Sequence, residues 1–242
     1  MSTPLTLEVA TAYSSKANEY RKQRFEPESQ DTRFVPEPRP WQSLALKSLQ
    51  DLRNAGYQKA LVAVATGMGK TWLAAFDATQ EGGRLKRRPR VLVIAHRSHI
   101  LVQAESALSS LLDSVFGNGT TSWYIGQRSD LSGTLVMASV QKLARPEGLS
   151  CLENEAFDYV VIDEVHHAHA PTYRRVMAQL NAGVVLGLTA TPERGDGVDV
   201  ATIFDDNLAY QATIGDGIAE ESLVPFHYVG IRDTVDFEQI PW

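Results

Sequence analysis

The sequence ALVAVATGMGKT at residues 60–71 joins an apolar run of strand length to a turn that contains two glycines and a lysine. A run without polar residues is typical of a strand that is covered on both faces. Gly67 and Gly69 allow the tight turn in which successive backbone N–H groups surround a phosphate, and the helix predicted to begin near Lys70 points its positive end at the same anion. In such a loop Lys70 reaches the β- and γ-phosphates and the Thr71 hydroxyl reaches Mg²⁺. The first glycine of the pattern G-x-x-x-x-G-K-S/T is valine here, but the order of strand, turn and helix still favours a phosphate loop over an incidental glycine turn.

Further apolar runs along the chain predict a parallel sheet. Apolar strands that alternate with helices indicate an α/β fold whose sheet carries helices on both faces. In such a sheet ligands bind at the carboxyl ends of the strands, so the residues directly after each run are the candidate site residues. The predicted strands are 60–65, 91–95, 134–138, 159–162 and 184–188, and the predicted helices are 41–53, 70–81, 98–112 and 171–181.

Two acidic residues, Asp163 and Glu164, follow the predicted strand at 159–162. Taken alone such a pair would be a solvated turn, but adjacent carboxylates repel each other and favour a nearby cation, and a phosphate loop is predicted upstream in the same sheet. Asp163 could hold Mg²⁺ through water, and Glu164 could orient and deprotonate an attacking water. Thr189 and Thr191, which follow the last predicted strand, could hydrogen-bond to the acidic pair or to its water.

Six short motifs, in sequence order, resemble those of the first motor domain of superfamily 2 DEAD/DEAH-type helicases and translocases. Three of them are the features above, which read ATGMGKT, DEVH and LTATP, and the other three read RPWQ, IAHR and ASVQ. The resemblance covers about residues 39–230, and the segments 188–197 and 223–226 look closest to the branch shared with restriction-enzyme motor subunits. DEVH in place of DEAD resembles the branches that act on DNA more than those that act on RNA.

The resemblance implies a RecA-like parallel sheet of the P-loop NTPase type with an irregular N-terminal extension. It implies ATP and Mg²⁺ as cofactors, and nucleic acid, with DNA favoured, as the partner on which ATP-driven movement takes place. The residues that it implies are Arg39 and Gln42 for the adenine; Thr66, Gly67, Met68, Gly69, Lys70 and Thr71 for the phosphates; Thr71 and Asp163 for Mg²⁺; Lys70, Asp163 and Glu164 for catalysis; His166, Thr189 and Thr191 for coupling; and Arg97, Ser139 and Gln141 for the nucleic-acid backbone.

The same resemblance divides the chain into three parts. In this family the motor consists of two RecA-like domains with ATP between them, and the second domain supplies arginines that stabilise the transferring phosphate. We predict an N-terminal extension at residues 1–38, a first RecA-like domain at 39–225, and at 226–242 the start of a linker to a second RecA-like domain of the same full-length protein. We therefore expect the 242 residues alone to bind nucleotide weakly and to hydrolyse it slowly.

Composition and charge exclude several other classes. A single cysteine excludes a disulfide framework, and no run of 18 apolar residues or basic, apolar leader is present, so we expect a cytoplasmic protein without a membrane span. The net charge of −6 combines 14 basic and 7 acidic residues at 35–145 with 4 basic and 17 acidic residues at 146–242. Because of this asymmetry the negative net charge does not exclude a nucleic-acid partner, since the basic part contains the phosphate loop.

Two alternatives compete with the motor, and two further signals are weaker. The chain could be a nucleotide-switch ATPase that does not move on nucleic acid, or a motor scaffold that has lost activity, although Lys70, Asp163 and Glu164 argue against that loss. His166, His167 and His169 invite a zinc site, but the acidic motif already explains the first of them. The basic segment RLKRRPR at 84–90 could follow a phosphate backbone, but its predicted place at the amino ends of the strands favours a solvated turn.

Overall fold

The computed structural model describes residues 36–165, 170–190 and 200–225, and its centre is one eight-stranded sheet. The strand order is β4-β3-β5-β2-β6-β7-β1-β8, and every neighbouring pair is parallel except the hairpin of β3 and β4. The predicted parallel α/β fold is therefore confirmed. The strands are β1 Lys59–Val64, β2 Val91–Ala95, β3 Thr121–Ile125, β4 Arg128–Ser129, β5 Leu135–Ser139, β6 Ala156–Ile162, β7 Asn181–Thr189 and β8 Leu208–Ala212.

Helices connect most of these strands, as the alternating pattern predicts. Each predicted helix is present, with ends that differ from the prediction by up to four residues. Within the described residues the helices are α1 Pro40–Asn54, α2 Lys70–Leu85, α3 Ser98–Phe116, α4 Val140–Leu143, α5 Pro146–Glu153, α6 Ala170–Gln179 and α7 Ile214–Ala219, with a 3₁₀ helix at Val200–Phe204. None of them combines the length and the apolar character that crossing a bilayer requires.

The sheet buries both of its faces, which explains the apolar centres of its inner strands. Along β2, Val91 and Val93 belong to the core formed with α1, α2 and α3, whereas Leu92 and Ile94 belong to the core formed with α4, α5, α6 and the 3₁₀ helix. Successive side chains of a strand point to opposite faces, so a strand covered twice has no polar position. Trp41 at the start of α1 is 1% exposed and belongs to the first core.

The basic segment at 84–90 is used at the amino edge of the sheet. Arg87 forms a two-bonded pair with Asp158 at 2.7 Å for each bond, and Arg90 pairs with Glu155 at 2.5 Å. Arg90 also donates to three backbone carbonyls around the starts of β5 and β6. These arginines thus hold strand starts together, where the sequence suggested a solvated turn.

Candidate nucleotide-binding site

The predicted phosphate loop lies between the end of β1 and the start of α2. Gly67 and Gly69 have φ angles of +89° and +98°, in the left-handed region that favours glycine. Gly69 directly precedes α2, whose 16 residues begin at Lys70. The free N–H groups and positive end of this helix are therefore directed at the loop, as anion binding requires.

Lys70 is the buried cation of this loop. The residue is 7% exposed, and its Nζ donates to the Val64 carbonyl at 3.1 Å. Burial lowers the pKa of Lys70, while the nearby carboxylates of Glu164 and Asp163 act in the opposite direction. A phosphate oxygen is a stronger acceptor than a carbonyl for an ammonium group, so an entering phosphate can replace Val64 as the partner of Lys70.

The N-terminus of α1 holds the loop from one side. Gln42 is 2% exposed; its Nε2 donates to the Gly69 carbonyl at 3.0 Å and its Oε1 accepts from the Arg39 N–H at 2.8 Å. Arg39 reaches the Met68 carbonyl at 3.5 Å. Sequence reasoning assigned Arg39 and Gln42 to the adenine and missed this contact with the loop, because nothing in a local pattern shows which distant backbone a buried amide will meet.

The acidic pair lies at the end of β6, where it was predicted. Asp163 is 5% exposed, and its Oδ1 accepts from the Glu164 N–H at 2.8 Å. Burial, followed by repulsion from Glu164, raises the pKa of Asp163 to about 6 against the opposing attraction of Lys70. Glu164, two residues after β6, has a φ of +55°, an unusual conformation for a residue with a side chain, which sets the direction in which its side chain leaves the backbone.

Only part of the predicted coupling group falls within the described residues. Thr189 is fully buried at the end of β7, in register with Ala63 of β1, and so lies beside the strand that leads into the phosphate loop. His166 and Thr191 lie outside the described residues, as do His167 and His169 of the suggested zinc site. In the parts of the chain that the structure describes, no group of three potential metal-binding side chains occurs.

The residues predicted to contact nucleic acid lie at two neighbouring strand ends. Ser139 ends β5, and the Gln141 side chain donates to the His96 carbonyl after β2 at 3.1 Å. Ser139 is 8% exposed, and its hydroxyl accepts from the Lys142 N–H. Ser139 and Gln141 thus order the local backbone, while the side chain of Arg97 is exposed at the same edge.

A largely apolar cavity of about 520 Å³ adjoins the loop between the ends of β7, β1 and β8. Thr66 of the phosphate loop lies in its wall, together with the first residues of α7. The cavity therefore adjoins the phosphate loop at the carboxyl edge of the sheet.

Comparisons with known proteins place these features in a family. Residues 36–194 match the family described as type III restriction enzyme, res subunit. The chain is 26% identical over 208 residues to the type I restriction enzyme EcoAI endonuclease subunit of Escherichia coli, a match that covers 83% of this chain and 25% of that protein. It is 30% identical over 141 residues to the DNA 3'-5' translocase XPB2 of Sulfurisphaera tokodaii, covering 58% and 28%. The chain thus spans about a quarter of the length of these two relatives.

Solved structures share the fold. The Sulfolobus solfataricus SWI2/SNF2 ATPase core in complex with double-stranded DNA matches with a TM-score of 0.55 and 21% identity, over 73% of this chain and 36% of that chain. The UvsW helicase of bacteriophage T4 matches with a TM-score of 0.54 and 14% identity, over 81% of this chain and 67% of that chain. The sheet and its helices therefore share the RecA-like fold of these two structures.

Proposed function

The chain belongs to the type III restriction enzyme res subunit family, and from that premise we propose that it is the first motor domain of a superfamily 2 helicase or translocase that uses ATP to move on nucleic acid. The observation that carries the proposal is one sheet edge that joins a phosphate loop, a buried lysine and a buried acidic pair. Lys70 and Asp163 are 7% and 5% exposed, and each influences the pKa of the other. Burying charged groups costs desolvation free energy, and buried titratable groups with shifted pKa values cluster at functional sites.

The chain's own residues divide the work of hydrolysis. The loop N–H groups and the Lys70 ammonium hold the β- and γ-phosphates. Glu164, fixed by its left-handed backbone, orients the attacking water and accepts its proton. Arg39 and Gln42 support the loop beside the proposed adenine position, and Thr189 lies where a change at the phosphates can reach β7.

The donors at this edge suit Mg²⁺. Magnesium prefers oxygen ligands, and the Thr71 hydroxyl in the first turn of α2 and the Asp163 carboxylate at the end of β6 are both oxygen donors. When bound, the ion neutralises charge that develops on the transferring phosphate. Thr71 and Asp163 would hold it, directly or through water.

DNA is the proposed track, and a second RecA-like domain of the full-length protein is the proposed partner in catalysis. The names of the two relatives described above, a restriction endonuclease subunit and a DNA translocase, support DNA. Arginines from the second domain would complete the site, which in related NTPases changes the rate by about 10³–10⁵. His166 and Thr191 are proposed to couple the two domains, and Arg97, Ser139 and Gln141 to contact the nucleic-acid backbone.

The test is ATP hydrolysis by the full-length protein with and without duplex DNA. We expect DNA to stimulate hydrolysis, and Glu164→Gln to keep ATP binding but to abolish turnover, because the amide cannot accept the proton of water. Equal hydrolysis in the presence and absence of DNA and of RNA would instead indicate a nucleotide switch. If the Glu164→Gln variant still hydrolysed ATP, Glu164 would not be the general base.

A further inference from the structure

A short segment after β8 folds back onto the phosphate loop. Helix α7 ends at Ala219, and Glu221 has a φ of +56°, which reverses the chain. The Leu223 N–H then donates to the Gly217 carbonyl at 2.8 Å. The reversal places the Leu223 side chain beside the helix that it has just left.

The Leu223 side chain lies between this helix and the phosphate loop. A Cβ built on Gly67 would be 3.1 Å from Leu223 Cδ2, and a Cβ built on Gly217 would be 2.8 Å from Leu223 Cδ1 and 3.2 Å from Met68 Sδ. Both backbones thus approach the leucine so closely that a methyl group in place of either glycine hydrogen would crowd it. Leu223 is partly buried by these contacts, whereas the next residue, Val224, is 83% exposed.

Leu223 contacts the phosphate loop at Gly67, where the backbone must be held in a left-handed conformation. Gly67 has a φ of +89°, and a glycine has more backbone freedom to lose than any other residue when it is fixed in one conformation. Gln42 holds the loop at Gly69 from the side of α1, and Leu223 holds it at Gly67 from the side of α7. The two supports together fix both left-handed glycines of the loop.

We propose that Leu223 is a positioning residue for nucleotide binding. Its side chain keeps the phosphate loop in the conformation that accepts a phosphate, and it thereby couples nucleotide binding to the docking of residues 220–225 on the loop. The inference rests on the proposed function, since it takes the loop to be an ATP site. Coupling of this kind is reciprocal: if a docked Leu223 strengthens nucleotide binding, bound nucleotide strengthens the docking by the same factor. Residues 220–225 then respond to whether nucleotide occupies the phosphate loop.

The first measurement is the affinity for a fluorescent ADP analogue in three variants. In the full-length protein we expect Leu223→Ala to weaken binding about 5- to 10-fold, at the lower end of the usual coupling range. Leu223→Met should bind like the wild type, because methionine fills a similar volume. Val224→Ala is the matched control and should bind like the wild type, since Val224 is exposed. Equal affinities of Leu223→Ala and the wild type would overturn the inference.

The second measurement needs no variant and separates positioning from a purely structural role. Amide hydrogen exchange at Leu223 reports the bond to the Gly217 carbonyl. We expect saturating ADP to slow this exchange by the factor that Leu223→Ala costs in affinity, and unchanged exchange would contradict the coupling. A wild type that binds no ADP would refute the proposed function along with this inference, whereas normal ADP binding with unaltered exchange would refute the inference alone.

Discussion

At the scale of one residue, the buried carboxyl of Asp163 lowers the free energy of unfolding at neutral pH. Its carboxyl is 5% exposed, and burial together with Glu164 raises its pKa from 3.8 to about 6. In the folded protein Asp163 therefore keeps a proton that the unfolded chain releases near pH 4. Between about pH 4 and pH 6 the folded state binds more protons than the unfolded state, so the free energy of unfolding falls as the pH rises through this window.

The first prediction follows from this decrease of the free energy of unfolding with rising pH. The difference between 3.8 and about 6 corresponds to about 3 kcal/mol, and we expect Asp163→Asn, which has no charge to bury, to be more stable than the wild type by about that amount at pH 7. Near pH 4 the two proteins should be almost equally stable. Urea unfolding of both from pH 4 to pH 7 measures the difference, and Asp51→Asn, at an exposed position of α1, is the control that should show no such trend. If the difference in free energy of unfolding between the two proteins stayed constant from pH 4 to pH 7, it could not be attributed to burial of the Asp163 charge.

At the scale of elements, one buried carboxylate joins the three elements that present the site. Asp77 in α2 is fully buried; it accepts from Arg53 of α1, with one bond of 2.8 Å, and from the Tyr159 hydroxyl of β6 at 2.5 Å. Burial, with the charge of Asp77 adding to it, raises the pKa of Tyr159 well above its usual value, so the phenol stays a donor. The same elements carry Gln42 and Lys70 at their N-termini and the acidic pair at the end of β6.

The second prediction concerns this triad. We expect Asp77→Ala to lower the free energy of unfolding by about 3–5 kcal/mol, because it leaves Arg53 and Tyr159 without their buried partner. Lys59→Met is the control: it breaks the exposed pair of Lys59 and Asp205 at 3.2 Å and should change stability by less than about 1 kcal/mol. Denaturant unfolding of both variants at pH 7 provides the measurement. Equal effects would mean that the triad is no more than a surface ion pair in energetic terms.

The same elements show what the sequence could predict. The inner strands have apolar centres and were predicted from them. In contrast, β3, β4 and β8 were missed, because they lie near the edges of the sheet and contain polar residues. Asp163 and Glu164 follow the end of β6 and Thr189 ends β7, as predicted, since a parallel sheet brings those strand ends to one edge. Contacts such as those of Asp77 with Tyr159 and of Leu223 with Gly67 join residues far apart in sequence, and no local pattern encodes them.

Across the whole molecule, the two edges of the sheet use their positive charges differently. At the amino edge, Arg87 and Arg90 are paired with Asp158 and Glu155, so these two charges hold strand starts together. At the carboxyl edge, Arg97 is exposed beside the ends of β2 and β5. Net charge alone would miss this, because a total of −6 averages both edges with an acidic C-terminal part.

The third prediction tests whether the carboxyl edge meets the nucleic acid. In the full-length protein, we expect Arg97→Gln to raise the DNA concentration needed for half-maximal stimulation of ATP hydrolysis and to reduce the salt dependence of that concentration by about one counterion, with unstimulated hydrolysis unchanged. Lys86→Gln removes the same charge from an exposed position at the amino edge and should alter neither quantity. DNA-stimulated hydrolysis titrated at several salt concentrations distinguishes the two variants. If both variants shifted equally, overall charge and not the place of Arg97 at the strand ends would govern DNA binding, and the proposed track along the carboxyl edge would be wrong.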